Sequence, residues 1–283
     1  MLKLFSRSNR QVTYRKFLIT AITCSAIALT GCGSGSRNDT TTGAIRNDTS
    51  NGVTPTSRGD LLTYEKVATR TISEVNTNTP EFDLAEYLKY DLEFYRVTYS
   101  SEYRQKPIAL SGLVIVPKSD QSLPHLQYHH GTMFPFPDAS GFGNEDTPSL
   151  YVGQGPTPKV NQFASRVLGS LAASVGYVVS LPDYAGYGVS DNVGHPYAYH
   201  PELAIESVDL IIATRKLMAT LKQPLTENLF LTGWSEGGGA ALATHKLIEE
   251  QYSDQLPLTA SAPFAGPYAM VRSAKWFVGK NEE

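Results

Sequence analysis

The residues best suited to chemistry lie in a glycine-rich segment of this sequence. Ser235 is the centre of a Gly-x-Ser-x-Gly motif, between Gly233 and Gly237 and directly after Trp234. Apolar residues before the motif predict a strand and the residues after it predict a helix, which is the context in which the motif presents a nucleophilic serine. The turn has to be so tight that glycines are needed on both sides and the serine backbone is strained. Ser235 is therefore the predicted nucleophile.

A nucleophilic serine also needs N–H donors for the negative charge that develops on the substrate oxygen. In a strand-turn-helix arrangement one donor belongs to the residue after the serine, here Glu236, where the helix N-terminus adds a positive dipole end. The second belongs to a loop after another strand, and His129-His130-Gly131-Thr132 is such a loop. We therefore predict an oxyanion hole formed by the backbone N–H of Glu236 and that of Thr132 or Gly131.

Two histidines and an aspartate near these motifs are interpreted as structural. His129 and His130 are adjacent, so they face opposite sides of a strand and form a poor metal chelate. We predict that each holds its loop by hydrogen bonds. Asp183 follows a predicted strand but precedes Ser235, and we predict that it caps its own loop rather than serving as a catalytic acid. Four tyrosines either line a substrate pocket or simply pack: Tyr184, Tyr187, Tyr197 and Tyr199.

The elements that position these groups alternate along the chain. Predicted strands cover 94–100, 108–116, 125–129, 177–181, 228–232 and 256–262, and predicted helices cover 163–175, 201–221 and 237–251. Strands that alternate with helices of this length predict an α/β fold with a mostly parallel sheet, and the first two strands form an antiparallel pair in front of it. The reactive groups gather at the carboxyl ends of the strands.

Four segments together resemble the bacterial α/β-hydrolases related to secretory lipases. These segments are 128–132, 181–191, 230–239 and 260–268, and the resemblance covers most of residues 61–270. It implies the α/β-hydrolase fold and hydrolysis of small-molecule or lipid carboxylic esters through an acyl-enzyme, with no metal or organic cofactor. Glu236 departs from the glutamine or small residue expected there, and its charge would oppose an oxyanion if it pointed inward. Trp234, Phe134 and Phe136 suggest an apolar acyl pocket.

The resemblance also implies a serine, an acid and a histidine in that chain order, and the last two have no good candidates. The one histidine after Ser235 is His245, which lies roughly 15 Å further along the predicted helix at about 1.5 Å per residue. The candidate acids Asp254, Glu282 and Glu283 do not suit the position. We therefore expect a C-terminally truncated hydrolase of about six strands that lacks the triad acid and histidine, and that is poorly stable and nearly inactive.

The amino terminus predicts export. A basic stretch is followed by a short apolar run, 17–29, and then by Leu-Thr-Gly and Cys32, which resembles the lipobox of bacterial lipoproteins. We predict a signal peptide over 1–31, acylation of Cys32, a disordered tether over 32–60 and the hydrolase domain over 61–283. The protein is expected to be anchored to the bacterial cell envelope, on the periplasmic or outer-membrane side.

Composition excludes some other classes. The net charge is −3, and the first 31 residues contain five basic side chains and no acidic one, so the remainder has a charge of −8. An acidic protein is a poor match to nucleic acid. Two alternatives stay open: a non-catalytic surface lipoprotein that uses a partial hydrolase fold for binding, and a serine peptidase of the same fold. Nothing in the sequence indicates the acyl or alcohol specificity or the oligomeric state.

Overall fold

The computed structural model describes residues 57–80, 82, 85–134, 143–156 and 162–279. The predictions for the signal peptide, for Cys32, for residues 32–56 of the tether and for Phe136 lie outside the described residues. No helix in the described ranges has the length and apolar character needed to cross a membrane.

The described part forms a mixed sheet of seven strands in the order β1-β2-β3-β5-β4-β6-β7. The strands are β1 (Leu61–Arg70), β2 (Leu92–Tyr103), β3 (Lys106–Pro117), β4 (Leu123–His129), β5 (Val178–Pro182), β6 (Leu225–Trp234) and β7 (Leu258–Phe264). The neighbours β1–β2, β2–β3 and β3–β5 are antiparallel, whereas β4–β5, β4–β6 and β6–β7 are parallel. The predicted antiparallel pair and parallel region are confirmed. The expected count of about six strands is wrong, because β1 was missed.

Five α-helices accompany the sheet in the described residues. They are α1 (Ile72–Asn78), α2 (Ser170–Ser174), α3 (His200–Leu221), α4 (Glu236–Leu247) and α5 (Met270–Gly279). A π-helical turn precedes α2 and another follows α4, over Ala164–Gly169 and Ile248–Tyr252. The three predicted helices are confirmed, and Gly176 stands after α2 with φ +119°, a conformation that glycine adopts at low cost.

The central strands are buried on both faces, which fixes where the helices pack. On β3, Val114 points into a cluster that includes Leu210 and Leu217 of α3. The alternate residues Leu113 and Ile115 point into the opposite cluster, beside the segment that ends in α2. Because successive side chains of a strand face opposite sides, one strand contributes to both layers. The result is a three-layer α/β arrangement, in which the carboxyl ends of β4 and β6 are adjacent.

The domain begins before residue 61, where the predicted tether was expected to end. Arg58 forms an ion pair with the buried carboxylate of Asp209 on α3, at 3.0 Å. Gly59 donates its N–H to the carbonyl of Ser100, and its φ of +73° leaves no room for a side chain beside Ile212. The residues from 57 to 60 are therefore part of the packed structure, and the predicted boundary is corrected to this extent.

Candidate active site

Ser235 lies at the junction of β6 and α4 with a strained backbone. Its φ is 58° and its ψ is −123°, a conformation that side-chain-bearing residues rarely adopt and that costs on the order of 1–3 kcal/mol. Its N–H donates to the carbonyl of Phe264 at the end of β7, at 3.0 Å. Its own carbonyl accepts the N–H groups of Gly238 and Gly239 in the first turn of α4. This is the geometry that projects a serine hydroxyl from a strand-to-helix turn.

The glycines on either side of Ser235 are required by backbone contacts. A Cβ on Gly233 would collide with the backbone of Gly237 across the turn. A Cβ on Gly237 would collide with the carbonyl oxygens of His129 and His130. Both predicted glycines therefore allow close approaches that a methyl group would prevent. The side chain of Trp234 is half exposed beside the serine.

The predicted oxyanion loop lies against the serine. A Cβ built on Gly131 would be 3.1 Å from the carbonyl oxygen of Trp234 and 3.4 Å from Cβ of Ser235. No acceptor among the described residues takes a hydrogen bond from the backbone N–H of Gly131 or of Thr132. Glu236 is the first residue of α4, so its N–H has no acceptor within the helix. The structure thus brings together the serine and the three candidate donors.

His129 and His130 both bond to the backbone. His129 Nδ1 is 3.0 Å from the carbonyl of Thr232, and burial lowers the pKa of its imidazole to about 4, so the ring is neutral. His130 Nδ1 is 2.7 Å from the carbonyl of Gly131. Its Nε2 is 3.3 Å from the carbonyl of Asp183, which ties the oxyanion loop to the segment after β5. These contacts agree with the predicted loop-holding role.

Asp183 does not cap its own loop as predicted. One carboxylate oxygen accepts the hydroxyl of Ser111 on β3 at 2.6 Å, and the other accepts the backbone N–H of Ser149 at 2.9 Å. The side chain is fully buried, and this burial raises its pKa. Asp183 therefore joins three segments that are distant in the sequence, a pairing that no local pattern could reveal.

The side chain of Glu236 has a partner that the sequence did not indicate. Glu236 Oε1 accepts Nε2–H of His195 at 3.0 Å and the backbone N–H of Ala198 at 2.8 Å. Burial raises the pKa of the Glu236 carboxyl, but the hydrogen bond and charge of His195 outweigh that effect and lower it. The residue was predicted only as a backbone donor, and its partner lies 41 residues away.

The predicted tyrosines do not line a pocket beside Ser235. Tyr184 and Tyr187 are buried and pack at a tilt against His130 and His195. Tyr197 and Tyr199 are exposed in the segment before α3. Of the two alternatives left open for these residues, packing applies to Tyr184 and Tyr187.

All six histidines of the sequence lie in the described part, and none of them hydrogen-bonds to Ser235 Oγ. His245 Nδ1 is instead 2.7 Å from the hydroxyl of Ser261 on β7. His125 bonds to Ser180 at 2.8 Å, and His200 packs against Gly239 with its Nε2 buried and unpaired within the described residues. The same part of the chain contains no group of three His, Cys, Asp or Glu side chains arranged to hold a metal ion.

A cavity of about 530 Å³ opens beside the serine. Its walls combine the oxyanion loop, Gly131 to Met133, with mostly apolar side chains from the segment before α2. The apolar lining includes Tyr128, Met133, Phe163, Ala164, Leu168 and Trp234. The volume lies in the range of small-ligand sites, and the lining suits an apolar group. Trp234 was expected here, whereas Phe134 is half exposed and does not line the cavity.

Solved structures with the same fold include hydrolases. A protein from Legionella pneumophila that is assigned to the hydrolases is 26% identical, with a TM-score of 0.63, and the match covers 74% of this chain and 53% of that one. The rice cell wall degrading esterase LipA from Xanthomonas oryzae is 29% identical, with a TM-score of 0.60 and coverage of 75% and 51%. This chain thus spans about half the length of either structure. No family model and no curated protein matches the sequence.

The architecture and these neighbours lead to the same conclusion. A mixed seven-stranded sheet carries a strained serine between a strand and a helix, with a second loop beside it. Structures similar to this chain over about three quarters of its length include an esterase. The chain has the α/β-hydrolase fold and is similar to esterases and other hydrolases.

Proposed function

We propose that this chain carries the nucleophile and oxyanion hole of a serine hydrolase that cleaves carboxylic esters. The observation that supports this most is the backbone of Ser235, strained at φ 58° between β6 and α4 and placed against Gly131. Such strain is costly, and it is typical of residues whose position serves chemistry. A protein that only binds a ligand gains nothing from it.

The proposed reaction proceeds through an acyl-enzyme. Ser235 Oγ attacks the ester carbonyl carbon, its proton passes to a base, and the carbonyl electron pair moves onto oxygen. The N–H groups of Glu236 and Thr132 donate to that oxyanion. The tetrahedral intermediate collapses, the alcohol leaves with the proton, and water then hydrolyses the acyl-serine by the same steps.

The base and its acid partner are not supplied by any described residue in contact with Ser235 Oγ. A serine without a base is a weak nucleophile, and the oxyanion hole alone retains a small share of the rate. We therefore expect the chain by itself to react slowly, with the missing histidine and acid supplied by polypeptide beyond the described residues or by another chain.

The cavity favours esters with an apolar acyl group. Its lining is mainly aliphatic and aromatic, and it opens at the oxyanion loop, where the ester carbonyl has to bind. The esterase LipA of Xanthomonas oryzae, one of the similar structures, degrades rice cell wall. Its shared fold supports the reaction type for this chain, whereas the apolar cavity is the basis for the proposed acyl preference.

A non-catalytic binding protein is the second candidate, and the lack of a base in contact with Ser235 favours it. The hydrolase and binding-protein proposals are distinguished by incubating the purified protein with a fluorescent phosphonate that reacts with activated serines. Labelling that disappears in Ser235→Ala is the expected result. A folded sample that stays unlabelled after long incubation at high probe concentration would contradict the hydrolase proposal and favour the binding protein.

We also propose that the protein is exported and anchored in the cell envelope through an acylated Cys32. The supporting feature is the sequence itself, a basic stretch and a short apolar run followed by Leu-Thr-Gly-Cys. Cells that express the protein and are fed a labelled fatty acid should incorporate the label into it and recover it in the membrane fraction. In Cys32→Ser both the label and the membrane association should be lost.

A further inference from the structure

The residue that follows the nucleophile carries a buried negative charge. Glu236 donates the proposed oxyanion N–H from its backbone, while its side chain is 2% exposed. A carboxylate close to a developing oxyanion would raise the energy of the transition state, because like charges repel strongly where water is excluded. An α/β-hydrolase with glutamate at this position has to keep that charge turned away or compensated.

The structure turns the side chain of Glu236 towards the segment before α3. Oε1 accepts hydrogen bonds from His195 Nε2 and from the backbone N–H of Ala198. The segment is shaped for this contact: Ala198 has a φ of +55°, and the backbone of His195 lies so close to Gly186 that a Cβ there would collide with it. Glu236 Oε2 is buried and has no hydrogen-bond partner among the described residues. Both hydrogen bonds to the carboxylate therefore reach the same oxygen, Oε1.

Hydrogen bonds fix the orientation of the His195 ring on two sides. Nδ1 is 2.9 Å from the carbonyl of Ala185 and Nε2 is 3.0 Å from the Glu236 carboxylate, so both nitrogens face acceptors. Three tyrosine rings pack around it, with centroids 4.8 Å (Tyr187), 6.0 Å (Tyr184) and 6.4 Å (Tyr197) away, and limit how far the imidazole can turn.

We propose that His195 is a positioning residue of the oxyanion hole, which holds the Glu236 side chain away from the substrate oxygen by a hydrogen bond to its carboxylate. The inference rests on the proposed function. Among the described residues, His195 forms no hydrogen bond with Ser235. It acts through Glu236. The backbone N–H that donates to the oxyanion and the carboxylate that His195 holds are parts of this one residue, so the position of the carboxylate affects the orientation of the N–H.

A charge-rescue experiment tests this role. The readout is the second-order rate constant for phosphonate labelling of Ser235. His195→Gln takes the imidazole donor away from Glu236, and we expect it to react 10- to 100-fold more slowly than the wild type. His195→Gln in a Glu236→Gln background has no carboxylate to hold away from the oxyanion, so it should react at least 10-fold faster than His195→Gln alone. His245→Gln, a matched change at a histidine bonded to Ser261, should stay within twofold of the wild type.

The outcomes separate this inference from the proposed function. A wild-type protein that does not label contradicts the proposed function and removes the basis of the inference with it. A wild type that labels, together with a double variant as slow as His195→Gln, overturns the inference alone, because a purely structural role gives no rescue. Melting curves accompany each variant. If His195→Gln does not fold, His195→Lys and His195→Met, which differ in charge more than in length, replace it. His195→Lys should label at least 10-fold faster than His195→Met.

Discussion

Gly237 and His129 touch through their backbones although they are separated by more than a hundred residues. A Cβ on Gly237 would collide with the carbonyl oxygen of His129, at the end of the strand that precedes the oxyanion loop. The contact joins the first turn of α4 to β4 and brings Gly131 against Ser235. The close approach of Ser235 and the loop at Gly131 therefore depends on the absence of a methyl group at position 237.

Replacing Gly237 by alanine should separate the two segments. We expect Gly237→Ala to lower the free energy of unfolding by more than about 2 kcal/mol, because the collision is with backbone rather than with a mobile side chain. Any phosphonate labelling of Ser235 should be lost. Gly279→Ala is the matched control, since a Cβ there meets no atom within 4 Å, and it should change stability by about 1 kcal/mol or less. If Gly237→Ala and Gly279→Ala changed the free energy of unfolding in urea equally, the contact assigned to Gly237 would be contradicted.

The ion pair between Arg58 and Asp209 should contribute measurably to stability. Asp209 is fully buried and is otherwise held by the hydroxyl of Ser101 at 2.7 Å, so Arg58→Ala leaves a buried carboxylate with one partner. We expect a loss of about 2 kcal/mol, below the full cost of breaking a buried pair because Arg58 is partly exposed. Lys246→Ala, which removes the exposed Lys246–Glu250 pair at 3.7 Å, should cost about 0.5 kcal/mol or less. Chemical denaturation of both variants measures the difference.

Glu206 should make stability fall as the pH rises. Its Oε2 accepts the N–H of Ala185 at 2.9 Å, Oε1 has no partner in the described part, and burial raises the pKa to about 8 from an ordinary value of 4.5. Below pH 4.5 the group is protonated in both states. Between pH 4.5 and 8 the unfolded chain loses this proton while the folded chain keeps it, so the stabilisation present at low pH is lost.

Glu206→Gln removes this titration and keeps a similar shape. Relative to the variant, the wild type should lose roughly 2–4 kcal/mol between pH 5 and pH 8, given about 1.4 kcal/mol per pKa unit. Other ionisable groups are common to both proteins and cancel in the comparison. Urea unfolding at the two pH values measures it, and parallel profiles would show that Glu206 ionises normally.

The cavity beside Ser235 should set the preferred acyl length. Leu168 lines it, and Leu168→Phe narrows it. If the protein hydrolyses esters as proposed, this variant should lose at least fivefold in kcat/KM for a decanoyl ester relative to a butyryl ester. Leu242→Phe places the same change on the exposed face of α4 and should leave the ratio unchanged. If the wild type and both variants had a similar ratio of kcat/KM for the decanoyl and butyryl esters, the acyl chain would have to bind elsewhere.

The sequence revealed the elements whose patterns are local. The apolar runs before Ser235 and after Gly176 predicted β6 and β5, because buried parallel strands are continuously apolar. β1 was missed because its Thr-Tyr-Glu-Lys stretch is exposed and lacks an apolar alternation. Helix α1 was missed although a local signal exists, a capping box in which Thr71 and Glu74 bond to each other's backbone N–H.

The site was predictable where its geometry follows from adjacent residues. The turn at Ser235 depends on Gly233 and Gly237, which the Gly-x-Ser-x-Gly motif identifies directly. The partners of Asp183 and Glu236 depend on how distant segments pack, and neither Ser149 nor His195 is marked by spacing or composition. The backbone roles were therefore predicted, whereas the electrostatics around them required the structure.

The hydrogen bond from Ser235 to Phe264 bears on when the strained turn can form during biosynthesis. The turn is supported by the end of β4 on one side and by the end of β7 on the other, so it needs segments that emerge from the ribosome far apart in time. Contacts of such long sequence separation form late in folding. Until the sheet is assembled, Ser235 therefore lacks the strained turn that the folded chain gives it.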